Sequence, residues 1–178
     1  AGFADVAGKA TGKNSKLDNT AIAIVKANTE GWYVADIIYG RWDIKKTARK
    51  IFEAVRKYEP VAVGIEKGAL RNAVLPYLTD LMKSGQRFFR VEELTHGNKK
   101  KTDRVVWALQ GRFEHGSILL SEGDWNTEFL DELFQFPNPL VHDDLVDALS
   151  YIDQLAKVSY YVDFEEEEFE FVDPIAGY

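Results

Sequence analysis

The order of the apolar segments restricts the fold of this chain more than any other feature of its sequence. Three runs rich in β-branched and aromatic residues come first, and segments with helical spacing then alternate with short apolar runs. Successive strands joined by short loops pair antiparallel, whereas parallel strands need a crossover, which is usually a helix. The order therefore predicts an α/β domain with a mixed sheet and helices on its faces.

The individual elements are predicted from the spacing of the apolar residues and from the turn residues between them. Strands are expected at residues 3–7, 20–26, 31–41, 61–66 and 88–92, with residues 117–121 as a short strand or an extended stretch. Helices are expected at residues 43–58, 69–84, 100–115, 125–134 and 142–157, with Asp43 as the N-cap of the first. The second and third strands form an expected hairpin, and residues 8–19 form an expected loop.

Length and charge divide the chain into a body and a tail. A chain of 178 residues suits one domain with a single core, which we place at residues 1–157. Residues 158–178 contain seven acids and no Lys or Arg, and are interpreted as a disordered or docking segment. Without these acids the net charge of −7 becomes zero. The acidic total therefore does not exclude a nucleic-acid partner.

Two absences exclude further classes of protein. The chain has no cysteine, so disulfides and zinc–thiolate sites are ruled out. No run of residues approaches the roughly 20 apolar residues that a membrane span needs. We therefore expect no membrane partner.

Two of the predicted buried strands each carry a carboxylate. Asp5 lies in the first strand, and Glu66 ends the run Val-Ala-Val-Gly-Ile-Glu. A carboxylate at the edge of an apolar core is costly to bury unless it is paired or bound to a cation. The alternative interpretations are a turn or cap residue for Asp5 and an ion pair with Lys67 or Arg71 for Glu66.

A third acidic group begins the last predicted helix, in the run His-Asp-Asp-Leu-Val-Asp-Ala-Leu at residues 142–149. Asp147 is four residues from Asp143 and three from Asp144, so the three acids share a surface of the helix. Capping and the helix dipole account for one or two acids in a first turn, but three exceed that requirement. Convergence of all three acidic groups would form an oxygen-rich pocket for Mg²⁺ or Mn²⁺ and indicates metal-dependent phosphodiester hydrolysis.

Cations for contact with a nucleic-acid backbone are found mainly at one helix start. The candidates are Lys99, Lys100, Lys101 and Arg104, with Lys13 in the first loop as a secondary candidate. The alternative interpretation of the cluster is a solvated helix surface. Lys13 does not belong to an ATP-binding P-loop, because the first glycine and the hydroxyl residue of that motif are missing.

Together these segments resemble the C-terminal nuclease domain of the large terminase subunit of tailed bacteriophages, which is a member of the RNase H-like superfamily. The resemblance covers nearly the whole body of the chain. Its most typical part is the run at residues 142–149, and its other parts are Asp5-Val6-Ala7 with the Gly/Lys loop after it, residues 17–22, and Val63-Gly64-Ile65-Glu66.

The resemblance implies a mixed five-stranded sheet, with three antiparallel strands followed by parallel ones and helices on both faces. It also implies two Mg²⁺ or Mn²⁺ ions bound by catalytic residues, which are Asp5, Glu66, Asp143 and Asp144, with Asp147 as a further metal-site residue. Which of Asp143 and Asp144 points inward stays open, and we prefer Asp144. The implied activity is endonucleolytic cleavage of double-stranded DNA concatemers during viral genome packaging.

The same resemblance implies partners and a location. These are double-stranded DNA, a terminase ATPase domain that is absent from this chain, a small terminase subunit and the portal protein. The implied location is the host cytoplasm of an infected bacterial cell. The acidic tail at residues 158–178 is a candidate portal-docking segment.

Two other functions remain open. The first is a RuvC-like or transposase-type nuclease that uses the same metal chemistry on a different DNA substrate. The second is a catalytically inactive RNase H-like module that binds DNA or a capsid protein. Cleavage of plasmid DNA distinguishes the inactive module from both nucleases, and a preference for four-way junctions distinguishes the first alternative.

Overall fold

A computed structural model describes residues 19–95 and 100–157, together with the backbone of residues 2–7. Its centre is a six-stranded mixed sheet with the strand order β5-β4-β1-β2-β3-β6. The strands are β1 Gly2–Ala7, β2 Thr20–Ala27, β3 Trp32–Gly40, β4 Ala62–Glu66, β5 Val91–Leu94 and β6 Ile118–Leu120. The predicted mixed α/β sheet is therefore confirmed.

The first three strands pair antiparallel, as the sequence predicts. β2 and β3 form the expected hairpin, and the Asn28 side chain closes its turn by accepting hydrogen bonds from the backbone N–H groups of Glu30 and Gly31. β4 then returns parallel to β1, and β5 parallel to β4. This order brings β1, the first strand in the chain, to the middle of the sheet.

The strand count differs from the predicted five. β6 pairs parallel with β3 through only three residues and extends the sheet beyond the hairpin. The sequence suggests either a strand or an extended stretch here, because so short a segment becomes a strand only when an edge is available to pair with it. The predicted fifth strand is β5, which begins three residues later than predicted and ends two residues later.

Helices α1 Ile44–Tyr58 and α2 Ala69–Ser84 cover one face of the sheet. Asp43 is the N-cap of α1, as predicted, and its Oδ1 accepts a hydrogen bond from the backbone N–H of Lys46 at 2.7 Å. Ile51 and Val55 of α1 and Val74 and Leu78 of α2 pack on Ile22, Ile24, Val63 and Ile65 of the sheet.

Helices α3 Lys101–Glu114, α4 Asn126–Gln135 and α5 Asp144–Ser150 cover the opposite face. The predicted single helix at residues 142–157 is interrupted by a turn at Tyr151, and residues 152–157 are helical again. Almost every residue of α5 is buried, because this helix lies over β1 and β2 at the centre of the sheet. The predicted carboxylate-bearing helix is therefore a core element.

Three predictions fall wholly or partly outside the described residues. These are the loop that contains Lys13, the cation Lys99 and the acidic tail at residues 158–178. Within the described ranges, no helix is both long and apolar enough to cross a membrane.

Candidate active site

The backbone of Asp5 lies in the centre of the sheet. It is opposite Ala23 of β2 and opposite Gly64 of β4, and Glu66 follows Gly64 by two residues on the same strand. Adjacent strands are about 5 Å apart and a strand rises about 3.3 Å per residue, so the Cα atoms of Asp5 and Glu66 are roughly 8 Å apart. This backbone separation is short enough for side chains at the two positions to share a ligand.

Glu66 is the last residue of β4 and is half-buried. Val63 and Ile65 pack against the α1–α2 face, and side chains alternate along a strand, so Glu66 faces the side that α5 covers. The two cations proposed as alternative partners both contact Glu93, Lys67 at 3.0 Å and Arg71 at 3.4 Å. Both cations therefore bind an acid of the neighbouring strand β5.

Asp144 is the first residue of α5, and its side chain is only 15% exposed. Its Oδ2 accepts a hydrogen bond from the backbone N–H of Asn19 at 3.1 Å and lies 3.7 Å from Nδ1 of His142. Asn19 directly precedes β2, which begins beside the carboxyl end of β1. This hydrogen bond therefore holds Asp144 at the end of the sheet where β1 and β4 finish.

Asp143 and Asp147 share a cation. The Nζ of Lys101 lies 2.6 Å from Oδ1 of Asp143 and 3.2 Å from Oδ2 of Asp147. Burial by itself lowers the pKa of Lys101, but the carboxylates of Asp147 and Asp143 outweigh it, and the net effect raises that pKa. Lys101 therefore stays protonated and neutralises part of the negative charge at the start of α5.

Arg104, a predicted DNA contact, is buried and belongs to the interior of the domain. Its guanidinium donates to Oδ1 of Asp147 at 2.5 Å and to the hydroxyl of Ser150 at 2.6 Å, and it stacks on the Tyr151 ring. The sequence marks a basic cluster but not which of its members faces α5. Of the predicted DNA contacts that the structure describes, Lys100 is the exposed one.

Glu132 of α4 contributes to the site in a way that the sequence analysis missed. Asp143, the N-cap residue of α5, makes no side-chain capping hydrogen bond. Oε2 of Glu132 instead accepts hydrogen bonds from the backbone N–H groups of Leu145 at 2.8 Å and Val146 at 3.1 Å. A side chain from another helix thus satisfies the exposed donors at the start of α5.

A sequence signal for this role does exist. Glu132 lies on the same helical stripe as Trp125, Phe129 and Phe136, and a single acid on an apolar stripe needs a buried partner. The residue is 2% exposed, and its Oε1 has no hydrogen-bond partner among the residues that the structure describes. The stripe indicates a buried acid, but only the tertiary structure identifies the donors that it binds.

Burial raises the pKa of Glu132 to about 7, and the nearby charges of Asp144 and Asp143 add to that increase. The two backbone N–H groups act in the opposite direction, because they favour the ionised carboxylate. Desolvation outweighs them, so Glu132 takes up and releases its proton near neutral pH.

The donor set at this end of the sheet fits a hard divalent cation in its chemistry, since carboxylate oxygens are the preferred ligands of Mg²⁺ and Mn²⁺. Among the described side chains, no group of three His, Asp or Glu residues is arranged to hold a metal ion. The Asp5 side chain is not among those described. Asp143 and Asp147 both contact Lys101, whereas Asp144 accepts the N–H of Asn19 and lies beside His142.

Known structures have the same arrangement of strands and helices. The human cytomegalovirus terminase nuclease domain has a TM-score of 0.64 at 16% identity, with 90% of this chain and 84% of that chain covered. The large terminase nuclease from thermophilic phage G20c has a TM-score of 0.55 at 15% identity, covering 84% and 80%. The fowlpox virus Holliday junction resolvase has a TM-score of 0.52 at 14% identity, covering 92% and 99%.

These similarities, together with the strand order, define an RNase H-like fold of the terminase nuclease type. Residues 3–153 match the family described as the terminase RNaseH-like domain. The match includes well over half of the chain, and the chain belongs to this family. No curated protein matches the sequence.

Proposed function

We propose that this chain is a metal-dependent endonuclease domain that cleaves double-stranded DNA concatemers during viral genome packaging. One observation carries the proposal. In a chain of the terminase RNaseH-like family, the carboxyl ends of β1 and β4 and the start of α5 meet at one end of the sheet, where Glu66 and Asp144 lie. The related fold of the cytomegalovirus domain supports the use of a divalent metal, since one of its structures was obtained after soaking with Mn.

In this proposal Asp5, Glu66 and Asp144 hold two Mg²⁺ or Mn²⁺ ions, with Asp143 as a further catalytic carboxylate. The bound ions would supply charge neutralisation at the scissile phosphate and activation of a water molecule. Asp147 would not bind the ions directly but would help to orient the carboxylates that do, through its contacts with Lys101 and Arg104. A ligand held by fixed hydrogen bonds loses little freedom when it binds an ion.

The residues of the chain itself preorganise this arrangement. The Asn19 N–H orients the Asp144 carboxylate, and Glu132 holds the first turn of α5. Lys101 reduces the repulsion between Asp143 and Asp147, which allows three acids to share one short helix. Substrate DNA binds through its phosphates, for which Lys99, Lys100 and Lys13 remain proposed contacts.

Other parts of the biological setting are also proposals. A terminase ATPase domain, a small terminase subunit and the portal protein are the proposed protein partners, with the tail at residues 158–178 as the segment that docks on the portal. The proposed site of action is the host cytoplasm.

The proposal is tested by incubating the chain with supercoiled plasmid in Mg²⁺ or Mn²⁺, with EDTA as the metal-free control. We expect metal-dependent nonspecific cleavage that is lost in Asp5→Asn, Glu66→Gln and Asp144→Asn. Asp80→Asn, which changes an exposed acid on α2, is the matched control and should cleave normally. Equal cleavage by all four variants would indicate a contaminating nuclease and remove the site assignment.

A RuvC-like resolvase is the second candidate, favoured by the similarity of its fold to the fowlpox virus resolvase. The two nucleases differ in substrate, so a four-way junction should be compared with a linear duplex of the same sequence. Cleavage of both at similar rates supports the terminase assignment, whereas strong preference for the junction supports the resolvase. A catalytically inactive binding module would leave all of these substrates intact.

A further inference from the structure

We propose that four exposed cations at the start of α1 bind the phosphate backbone of double-stranded DNA beside the active site. These residues are Arg41, Lys45, Lys46 and Arg49, which we call the α1 cationic patch. The inference rests on the proposed function for the identity of the ligand. It assigns DNA contact to a surface separate from the predicted cluster at residues 99–104.

The topology places this patch at the active-site end of the sheet. β3 ends at Gly40, which is opposite Thr20, and Thr20 follows Asn19, the residue whose N–H binds Asp144. α1 begins directly after β3 and runs back toward the other end, because β4 is parallel to β3. The first turns of α1 and the first residue of α5 therefore border the same end of the sheet.

The separation suits a DNA duplex. Gly40 is on β3 and Glu66 is on β4, which are three strand spacings apart, or about 15 Å. Consecutive phosphates of one strand are about 3.4 Å apart along the helix axis, so this distance corresponds to roughly four base pairs. α1 and α5 lie on opposite faces of the sheet, and a duplex laid across its end contacts both.

The charges of the patch are not neutralised by the part of the protein that the structure describes. No ion pair joins any of the four cations to a described acid, and the Nζ of Lys45 lies 5.6 Å from the centre of the Tyr77 ring. Three cations of the patch line a shallow groove of about 390 Å³, and Asp43 and Glu53 line it too. Asp43 caps the helix and Glu53 pairs with Lys50, so both acids are already engaged.

Two members of the predicted cluster at the start of α3 have the opposite character. Lys101 contacts Asp143 and Asp147, and Arg104 is buried against Asp147. A cation that already neutralises an internal carboxylate displaces few of the counterions that surround the DNA phosphates. An exposed unpaired cation displaces them fully. The α1 cationic patch therefore supplies more of the phosphate-binding charge than Lys101 and Arg104.

The test is the salt dependence of DNA affinity, measured in EDTA by fluorescence anisotropy with a labelled duplex of random sequence. The variant is K45Q/K46Q/R49Q, and the matched control is K26Q/R56Q/K83Q, which removes three exposed charges from the far end of the molecule. Loss of three phosphate contacts should reduce the slope of log K against log salt by about 2.7 and weaken binding by about tenfold or more at low salt. The control should retain the wild-type slope.

A second variant, K45R/K46R/R49K, keeps every charge and should bind as the wild type does, which separates loss of charge from loss of fold. An unchanged slope in K45Q/K46Q/R49Q would overturn the inference. So would tighter binding by that variant, which would indicate that the acidic residues 158–178 occupy the patch instead of DNA. Binding is measured without metal, so a chain that binds through the patch but never cleaves plasmid would refute only the proposed function.

Discussion

At the scale of single residues, the carboxylates around α5 have different environments although they lie within five positions of one another. Asp144 accepts a backbone hydrogen bond, Asp143 binds Lys101, and Asp147 is buried against Arg104. Asp144 also lies beside His142, whereas the other two acids contact Lys101 or Arg104. Identical side chains in one helix thus differ in their suitability as metal ligands, because each faces a different neighbouring element.

Glu132 should make the stability of the metal-free protein depend on pH. Its pKa is about 7 in the folded state and 4.5 in its reference state, so the folded protein holds a proton that the unfolded chain releases. Its contribution to the free energy of unfolding is full below pH 4.5 and is lost as the pH rises to about 7, by an amount on the order of 3 kcal/mol.

The measurement is urea unfolding in EDTA at several pH values between 4.5 and 7.5, for the wild type and for Glu132→Gln. The difference between the two proteins isolates Glu132, because the other carboxylates titrate in both. We expect the wild type to lose stability relative to the variant as the pH rises. A difference that stays constant with pH would show that Glu132 is ionised throughout.

At the scale of elements, the packing of the Leu94 side chain of β5 against β4 depends on a glycine. A Cβ atom added to Gly64 would lie 2.6 Å from Cδ1 and 2.9 Å from Cγ of Leu94, which is buried on the α3–α5 face. Gly64 is also the residue opposite Asp5 in the sheet. Packing at this position therefore affects both the core and the strand that carries a proposed ligand.

Gly64→Ala should destabilise the domain by about 1–3 kcal/mol, because the added methyl group overpacks this part of the core. Leu94→Val removes part of the side chain that the new methyl group would meet. Gly64→Ala should therefore destabilise the Leu94→Val protein less than it destabilises the wild type. Urea unfolding of the four proteins gives the coupling energy. Additive effects would mean that the two residues do not conflict.

The sequence predicts most elements well, and its errors occur where an element depends on distant partners. α2 has the predicted bounds, and α1 begins at the predicted cap, since periodicity and capping are local properties. β6 is three residues long and is stabilised by pairing with β3. The turn at Tyr151 also lies among residues that are distant in the sequence, since Tyr151 is fully buried beneath the Arg104 guanidinium.

At the scale of the whole molecule, the sheet order brings three distant segments to one end of the sheet, where the proposed site lies. β1 lies between β2 and β4, so a residue near the start of the chain is close to Glu66, and α5 crosses above it near the end of the body. An ion bound at this site would link all three segments. Metal binding should therefore stabilise the entire domain.

Titration with Mn²⁺ should raise the melting temperature of the wild type. A ligand present at 100 times its dissociation constant adds about 2.7 kcal/mol when it binds only the folded state. Asp144→Asn and Asp5→Asn should reduce the effect, and Asp80→Asn should retain it. An equal shift in all of these proteins, measured by differential scanning fluorimetry, would indicate nonspecific binding of Mn²⁺ elsewhere.

The sequence by itself determined the element types, the layered α/β arrangement and the family of this chain, because apolar periodicity, turn chemistry and short acidic motifs are local patterns. The tertiary structure alone decided which cations face inward, which acid caps α5 and where exposed positive charge borders the end of the sheet that carries the proposed site. Arg104, Glu132 and the α1 cationic patch acquire these roles from residues far away in the chain. Their energies depend on burial and on pairing, and neither can be read from neighbouring positions.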